Sequence, residues 1–235
     1  MTSGLREALA APDSKRRYVR RLFNTIAGRY DLITRLLSYG QDRRWKVRVA
    51  ALSAAGPGTR VLDLACGTGD IAFALAARGA QVVGLDITHR MLQLARAKGR
   101  GPQFVTGDML ALPFGNDAFD VVTTGYGLRN VPDLSRAIAE ARRVLRPGGT
   151  FVSLDFNRPA NSIVRAAYLS YLTIVGSTLG YILHRDPDTY RYIPESIRRY
   201  PGAVEVNAMI RRAGFSESEY LPVLGGLMAI HHARR

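Results

Sequence analysis

The stretch "VLDLACGTGDIA", Val61–Ala72, joins an apolar run to a pair of glycines and then to a helix-like pattern. The continuous apolar run over Arg60–Ala65 predicts a buried parallel strand. Thr68–Arg78, closed by Gly79, predicts the helix that follows. In an open α/β sheet, a loop of this kind lies at the carboxyl end of a strand, where ligands bind.

Strand and helix patterns alternate from this stretch to the C-terminus. The predicted strands are Arg60–Ala65, Gln81–Ile87, Gln103–Val105, Phe119–Thr124, Thr150–Phe156, Glu219–Leu224 and Leu227–His232. The helices between and after them are Thr68–Arg78, His89–Lys98 capped by Thr88, Leu134–Leu145 capped by Asp133 and ended by "RPGG", and Ala203–Arg212. The last two strands form a hairpin across Gly225-Gly226. This order predicts an α/β fold with a doubly wound, seven-stranded sheet, parallel except for one strand.

Two regions do not follow the alternation. Residues 1–55 predict a helical segment ahead of the sheet, and residues 158–200 predict a helical cap inserted into the domain at 56–235. Residues 166–183 within the cap carry no charge over eighteen positions, the short edge of a membrane-spanning length. We interpret them as a buried or interfacial helix pair, with a spanning helix as the alternative.

The charge is concentrated outside the predicted sheet. The chain of 235 residues has a formal net charge of +14, with +9 in residues 1–60, +1 in 61–157 and +4 in 158–212. Such a balance favours nucleic acid, an anionic membrane surface or an acidic substrate, or simply reflects solubility in an arginine-rich chain. The single cysteine, Cys66, excludes an internal disulfide and a cysteine metal cluster. Met1 to Arg21 has no apolar segment typical of a signal peptide, so we expect a cytoplasmic protein.

The glycine loop resembles a dinucleotide site, but three features argue against one: Asp63, Asp108 with its apolar neighbours, and the absence of a Tyr-x-x-x-Lys pair from the sequence. Gly67, Gly69 and Ala72 fit the G-x-G-x-x-G/A spacing, and Asp86 ends the second strand, where a ribose hydroxyl would bind. Asp63, however, lies inside the strand just before the glycines. Its carboxylate would repel a pyrophosphate and suits a cationic ligand, with a helix or loop cap as the structural alternative for this residue.

A further acidic residue, Asp108, indicates which nucleobase that ligand carries. "GDMLALPF", 107–114, places Asp108 at the end of the third strand beside apolar residues, which suits an adenine ring. A ribose, an adenine and a positive centre without a pyrophosphate describe S-adenosylmethionine. Its sulfonium is already an activated electrophile, so no metal is predicted.

Several motifs, taken together, resemble the UbiE/MenG family of quinone C-methyltransferases. In chain order they are "FNTIAGRYDLITRLLSYGQDRRWK", "LDLACGTGDIA", "GDMLALPF", "FDVVTTGYGLRNV", "RVLRPGG" and "YRYIPESIRRYP". The glycine-loop motifs indicate only a generic methyltransferase, whereas "GLRNV", "YRYIPESIR" and the N-terminal "RYD" are more specific. The resemblance covers about Leu22 to His231.

The resemblance implies a class I methyltransferase that transfers a methyl group from S-adenosylmethionine to a ring carbon of a prenylated hydroquinone. "GYGLRNV" with "LDFNRP" is similar to the cyanobacterial and plastid branch, which implies demethylphylloquinol or demethylmenaquinol as substrate. Asp155-Phe156-Asn157 stands where many members have an acidic-aromatic-Ser sequence, which leaves the quinone open. The family also implies an enzyme that is cytosolic or peripheral to a membrane.

Position along the strands and the chemistry of the reaction give the candidate site residues. The predicted cofactor residues are Asp63, Gly67, Thr68, Gly69, Asp86, Ile87, Asp108, Met109 and Gly125. The predicted catalytic residues are Tyr126, Arg129, Asn130 and Asp155, because a hydroquinone becomes nucleophilic at carbon once its hydroxyl loses a proton. Arg129 would hold the phenolate, with a structural salt bridge as its alternative, and Asp155 is a candidate base, with a helix cap as its alternative.

Other side chains have weaker support. Tyr30 and Asp31 could close the N-terminal helix over the cofactor, and Arg191, Tyr192 and Glu195 could line the quinone entrance or hold the cap. We expect His184 and Cys66 to be structural.

Other functions stay open beside the naphthoquinol reaction. The substrate could be another prenylated phenol, such as a ubiquinone or tocopherol precursor. A nucleic-acid methyltransferase is disfavoured, since the chain has no Asn/Asp-Pro-Pro-aromatic motif and no spare cysteine for attack on a pyrimidine. A lipid-binding protein without catalysis would not need an intact cofactor set. The expected partners are the quinol and, through the basic flanks, an anionic membrane, without nucleic acid; a homodimer is one possible assembly.

Overall fold

The computed structural model describes Leu5, Glu7 and residues 9–235 of the chain. Residues 1–4, 6 and 8 lie outside the described residues, so the predicted segment 1–55 is compared over the rest of its length. The helices are α1 Pro12–Ile26, α2 Tyr30–Leu37, α3 Asp42–Leu52, α4 Asp70–Ala76, α5 His89–Lys98, α6 Leu134–Val144, α7 Ser162–His184, α8 Asp188–Arg199 and α9 Ala203–Arg212. The strands are β1 Arg60–Leu64, β2 Gln81–Asp86, β3 Gln103–Thr106, β4 Phe119–Gly125, β5 Leu145–Phe156, β6 Glu217–Val223 and β7 Met228–Arg234.

The seven strands form one sheet in the order β3-β2-β1-β4-β5-β7-β6. β1 pairs in parallel with β2 on one side and with β4 on the other, so the chain reverses its direction of winding at β1. β7 runs antiparallel to both β5 and β6. The predicted doubly wound sheet with one antiparallel strand is therefore confirmed, and the carboxyl ends of β1 and β4 lie side by side, as a ligand site requires.

Alternate residues of the strands feed two cores, one on each face of the sheet. Leu62 and Leu64 are fully buried against α6 and α9, in the cluster that includes Ile138 and Ile210. Val61 points to the opposite face, where α3 and α4 pack in a second cluster. Because the buried helices hold the strands from both sides, the strand ends form a rigid base for the site.

The N-terminal helices and the cap share a third core beyond the strand ends. Val19, Leu22 and Ile26 of α1 pack against Tyr190 and Tyr192 of α8. The apolar surface of these helices is therefore covered by segments about 170 residues away in sequence, and together they close the space above the sheet.

The structure corrects several predicted boundaries. α4 begins at Asp70 rather than at Thr68, because Gly69 stands ahead of it with a φ of +84°, which favours glycine. "RPGG" does not lie after α6 as a loop: β5 begins at Leu145 and runs through it, with an irregular register against β4. Asp133 caps α6 by accepting a hydrogen bond from the Arg136 backbone N–H at 2.9 Å, as predicted. Thr88 makes no such side-chain cap.

The uncharged stretch is one helix rather than the expected pair. α7 has 23 residues, and its length and composition alone would let it cross a membrane. On its inner side, Gly176 and Gly180 bring it close to α8: a Cβ at Gly180 would lie 2.5 Å from the Asp186 backbone oxygen. These glycines fix the angle between the two cap helices.

Candidate active site

Three cavities meet where the strands of the sheet end. The strand-end cavity, about 720 Å³ including its open mouth, lies over β1, β2 and β3 and is covered by α1. The glycine-loop cavity, about 320 Å³, lies between the glycine loop and α3. The cap cavity, about 970 Å³, lies between α2, α7 and α8. Tyr30 and Tyr126 line all three, so these two rings stand at the junction.

Asp86 joins the glycine loop to the strand-end cavity. Its Oδ2 accepts the backbone N–H of Gly67 at 2.9 Å, and its Oδ1 accepts that of Thr88 at 2.8 Å. Burial raises the pKa of this carboxyl, while the two backbone N–H groups oppose that rise. A carboxylate has about four acceptor positions, so Asp86 keeps capacity for two further hydroxyl donors from the cavity.

Asp108 and the start of α1 close the far side of the strand-end cavity. Asp108 Oδ1 accepts the Leu110 backbone N–H at 2.9 Å, and its Oδ2 pairs with Arg16 at 2.6 Å. Met109 and Ile87 supply apolar surface to the same cavity. Lys15, next to Arg16, donates to the backbone oxygens of Arg129 and Val131 at 3.1 and 2.6 Å. Helix α1 is thus held across the cavity at two points.

Asp63 has an unusual environment at the floor of the glycine-loop cavity. The residue is 1% exposed, and its Oδ1 accepts the Thr123 hydroxyl at 2.8 Å. Its Oδ2 has no hydrogen-bond partner in the part of the chain that the structure describes. Burial raises the pKa of Asp63 to about 7. A buried carboxylate oxygen without a donor is a site that a cationic or N–H-bearing ligand would satisfy.

A chain of ion pairs fastens the N-terminal helices to the glycine loop. Lys46 of α3 donates to Asp42 at 2.8 Å and to Asp70 at 2.7 Å. Lys98 pairs with Asp70 at 2.8 Å and with Asp31 at 2.7 Å. Asp31 in turn accepts the Thr68 hydroxyl at 2.6 Å. The glycine loop is therefore held from outside by α2 and α3.

Arg129 and Asp155 form a buried ion pair behind the cap cavity. Arg129 Nη1 lies 2.7 Å from Asp155 Oδ1, and the side chains are only 6% and 2% exposed. Burial alone would lower the pKa of Arg129, but the Asp155 carboxylate reverses this and the pKa is raised. The guanidinium stacks over the Phe156 ring, with 4.6 Å from Cζ to the ring centre. Its buried Nε has no hydrogen-bond partner among the described residues, although Arg129 lines the cap cavity.

Asp155 is not among the described residues that line the three cavities. Its Oδ2 accepts the backbone N–H of Arg129 at 3.1 Å, and its Oδ1 also accepts that of Phe156 at 2.8 Å. The predicted base is thus occupied on both oxygens, and the structure makes it the partner of Arg129. The salt bridge expected as the structural alternative for Arg129 is present.

Tyr126 and Asn130 connect the junction to the cap. Tyr126 has a φ of +61°, a strained conformation for a residue other than glycine, and such strain is common at functional sites. The Asn130 amide donates to the Tyr126 backbone oxygen at 2.7 Å, and the Tyr192 hydroxyl donates to Asn130 Oδ1 at 2.9 Å. Burial raises the pKa of Tyr126 well above its usual value, which keeps the phenol neutral.

The remaining predicted residues divide into those that line a cavity and those that do not. Gly67 and Gly125 line both the strand-end and the glycine-loop cavities, and Thr68 lines the latter. Gly69 packs against Phe104 and Phe73 instead. Cys66 lines the glycine-loop cavity, and burial raises its pKa, which leaves the thiol protonated.

Of the residues predicted within the cap, all but one make contacts that hold the cap helices together. Tyr192 lines the cap cavity. Arg191 bonds Ser177 and Asp188, and Glu195 pairs with Arg198 and Arg199. His184 shares a hydrogen bond of 2.8 Å with the Tyr190 hydroxyl.

Two residues that make ion pairs at the site, Arg16 and Lys46, are not predicted from the sequence. Lys46 carries a usable signal, because it is one of only three lysines and stands four residues after Asp42 on one helix face. Arg16 carries none, since it is one of many exposed arginines in its segment and meets Asp108 only through the fold.

Comparison with known proteins assigns this arrangement to a family. The model of the ubiE/COQ5 methyltransferase family matches residues 11–235. The chain belongs to the ubiE/COQ5 methyltransferase family. Its resemblance to this family, expected from the motifs, is confirmed. Among similar members, the demethylmenaquinone methyltransferase of Thermus thermophilus is 43% identical over 89% of this chain and 98% of that protein. The ubiquinone/menaquinone biosynthesis C-methyltransferase UbiE of Teredinibacter turnerae is 39% identical over 96% and 94%.

Solved structures confirm the fold of this ubiE/COQ5 chain. An S-adenosylmethionine-dependent methyltransferase of Thermotoga maritima has a TM-score of 0.66 at 18% identity, over 92% of this chain and 99% of that one. Another from Mesorhizobium loti has a TM-score of 0.57 at 22% identity, over 80% and 96%. The family and the fold together imply an enzyme that uses S-adenosylmethionine.

Proposed function

We propose that this chain transfers a methyl group from S-adenosylmethionine to a ring carbon of a prenylated naphthoquinol, with demethylmenaquinol as the first candidate. One observation carries the proposal. The strand-end cavity, which has the carboxylates of Asp86 and Asp108 in its lining, meets the apolar cap cavity at Tyr30 and Tyr126. The buried Arg129, whose Nε–H has no partner among the described residues, lines the cap cavity.

The strand-end and glycine-loop cavities fit S-adenosylmethionine by the chemistry of the donor and acceptor groups among their lining residues. Asp86 would accept the ribose hydroxyls, and Asp108 with Met109 and Ile87 would hold the adenine. The unpartnered Oδ2 of Asp63 supports binding of the cationic methionine end in the glycine-loop cavity. When bound, the sulfonium supplies an electrophilic methyl group to a nucleophilic carbon, and the transfer requires no metal.

The protein must stabilise the ionised quinol, because ring carbon becomes nucleophilic when the hydroxyl loses its proton. Arg129 is held cationic by Asp155 and lines the cavity that the quinol would fill. A charged donor in a site shielded from water stabilises an oxyanion strongly. The high pKa of Arg129 makes it a poor base, so we assign it to binding the phenolate and assign Asp155 to positioning Arg129. The hydroxyl proton would pass to water in the cavity. Once the methyl group has bonded to the ring carbon and S-adenosylhomocysteine is the leaving group, the proton on that carbon would pass to water as well.

The cap cavity suits the tail of the substrate. Its surface consists mainly of aliphatic and aromatic side chains, including Leu22, Ile33, Leu172 and Ile193. Burying a prenyl chain there would be favourable by about 0.8 kcal/mol for each CH₂ group. Tyr192, through Asn130, would link the tail-binding cap to the junction where methyl transfer takes place.

The names of the relatives favour menaquinone over phylloquinone as the end product. The Thermus thermophilus and Roseiflexus castenholzii relatives are named demethylmenaquinone methyltransferases, and the latter is 38% identical. The Teredinibacter turnerae name includes ubiquinone as well. The phylloquinol branch suggested by "GYGLRNV" and "LDFNRP" stays a prediction. Nucleic acid is not part of the proposal, because an apolar cap cavity suits a lipid tail rather than a polyanion.

A transfer assay tests the proposal. Purified protein receives labelled S-adenosylmethionine and reduced demethylmenaquinone in detergent, beside demethylphylloquinol and a demethylated ubiquinone precursor. Mass spectrometry of the product locates the methyl group. We expect label on the naphthoquinol ring carbon. Label on oxygen, or on the benzoquinol alone, would contradict the naphthoquinol C-methylation.

A further inference from the structure

Helix α7 has an outer face that the rest of the protein leaves uncovered. Only 28% of its most apolar eighteen-residue window is buried. The inner face is already occupied, since Gly176 and Gly180 contact the start of α8 and its preceding turn. The outer face exposes Ile163, Ile174 and Ile182 at 78%, 67% and 66%. A core helix of a soluble domain would instead be covered on its apolar side.

This outer face continues to the mouth of the cap cavity. Tyr39, Tyr171 and Leu224 all line that cavity and are exposed at 72%, 37% and 48%. The hydroxyls of Tyr39 and Tyr171 contact each other across the mouth. A tail that leaves the cavity here would emerge directly onto the apolar face of α7, between aromatic side chains that favour a lipid–water interface.

The charges around α7 suit an anionic surface. The helix contains no Asp or Glu, and the only arginine within it, Arg165, lies in its first turn. At its other end, Arg185 is exposed, and the Arg29 guanidinium donates to the backbone oxygen of Leu183. The first acids that follow the helix in the sequence, Asp186 and Asp188, accept a hydrogen bond from the Thr189 hydroxyl and pair with the Arg191 guanidinium, respectively. The apolar face is therefore flanked by cations at both ends.

We propose that the outer face of α7 and the mouth of the cap cavity form a seat on an anionic lipid bilayer, with α7 lying in the plane of the interface. A helix of 23 residues is about 35 Å long. Because its inner face holds α8 and the cap, α7 lies along the surface and does not cross the bilayer. Isoleucine and tyrosine side chains enter the headgroup region, and the flanking arginines contact lipid phosphates.

The seat rests on the proposed function for its purpose, since it would let a prenylated quinol pass from the bilayer into the cavity without crossing water. Its physical basis does not depend on catalysis. Binding to lipid can therefore be measured in the absence of quinol and cofactor, and the two proposals can fail separately.

Flotation with vesicles tests the seat. The full chain is mixed with vesicles of phosphatidylcholine alone or with an equal part of phosphatidylglycerol, at low and high salt. We expect the wild type to float with the anionic vesicles and less so at high salt. The double variant Ile174→Glu/Ile182→Glu should lower the partition coefficient at least about tenfold. Val204→Glu is the matched control, because Val204 is 70% exposed on α9 and should float as the wild type does.

Three results would overturn the seat. The wild type could fail to float, or the double variant could float equally well. Alternatively, the wild type could sediment as a dimer without lipid and the double variant as a monomer, which would make the face an interface between two copies. Activity on a water-soluble naphthoquinol without a tail, measured without vesicles, should be equal in wild type and double variant. Vesicle binding without that activity would remove the proposed function alone, and activity without vesicle binding would remove the seat alone.

Discussion

The strand-end cavity and the cap cavity differ in how they are built. The strand-end cavity takes its carboxylates from the carboxyl ends of strands: Asp86 is the last residue of β2 and Asp108 lies two residues after β3. The parallel sheet fixes the positions of both. The cap cavity is assembled from α1, α2, α7, α8 and the loop before β7, and its surface is apolar. Under the proposed function the difference separates two tasks: the sheet would hold the methyl donor, and the helices would select the methyl acceptor.

The largest expected effect concerns the group that binds the quinol, which is the methyl acceptor. Arg129→Gln should lower kcat by about a hundredfold to a thousandfold, because the phenolate loses its charged donor. It should also lower the free energy of unfolding by about 3 to 5 kcal/mol, since Asp155 stays buried without its partner. The Kd of S-adenosylmethionine should not change. Kinetics, calorimetry and denaturant unfolding measure the three quantities.

A second variant separates the two roles of Arg129. Arg129→Gln/Asp155→Asn removes both charges, so most of the stability should return while kcat stays low. Recovery of kcat together with stability would assign Arg129 to structure alone.

The second largest effect concerns the binding of S-adenosylmethionine, the methyl donor. Asp63→Asn should weaken S-adenosylmethionine binding by about tenfold to a hundredfold, with little change in the KM of the quinol. In the wild type a cationic ligand favours ionised Asp63, so its affinity should rise with pH up to about 7 and then level off. The variant should bind with no such pH dependence. Equal pH profiles for both proteins would remove Asp63 from the cofactor site.

The same group makes a prediction for the free protein. The pKa of Asp63 is about 7 in the folded state and 3.8 ordinarily. Between these pH values the folded state holds a proton that the unfolded chain lacks. The contribution of protonated Asp63 to the free energy of unfolding is therefore complete below about pH 3.8 and is lost as the pH rises through about 7. Asp63→Asn should flatten this part of a denaturation profile.

A third test narrows the cap cavity alone. Leu37 lines it, whereas Leu36 beside it is 48% exposed. Leu37→Trp should raise the KM of a prenylated quinol about tenfold by overfilling the cavity, and leave that of S-adenosylmethionine unchanged. Leu36→Trp serves as the control. A similar rise for both variants, or for a tail-less quinol, would contradict a tail-binding cavity.

The smallest expected effect concerns the contacts that hold the glycine loop to helix α2. Asp31 bonds Thr68 and Lys98, but the pair is 41% and 32% exposed, which limits its contribution to less than about 1 kcal/mol. Asp31→Asn should raise the KM of S-adenosylmethionine only about two- to fivefold, more at low salt. Glu205→Gln breaks an exposed pair on α9 and should have no effect on either KM.

The sequence predicts where the three acids around the glycine loop lie in the fold, because the signals for these positions are local. Asp63, Asp86 and Asp108 each lie at or near the end of a strand, and parallel strands bring those ends together. The acceptor side depends on contacts between distant segments. Trp45, Phe156 and Tyr192 meet in the cap cavity, but no spacing in the chain connects them. The sequence predicts both Arg129 and Asp155 as site residues, but only the fold shows that their side chains pair with each other.

The most direct test is the ionisation of a bound acceptor. A hydroxynaphthalene analogue that cannot be methylated has an absorption band that reports loss of its proton. It can be titrated on the wild type and on Arg129→Gln in the presence of S-adenosylhomocysteine. We predict that the wild type lowers the pKa of the bound phenol by about one to three pH units and that the variant does not. The same pKa on both proteins would contradict the role of Arg129 as the group that holds the ionised quinol.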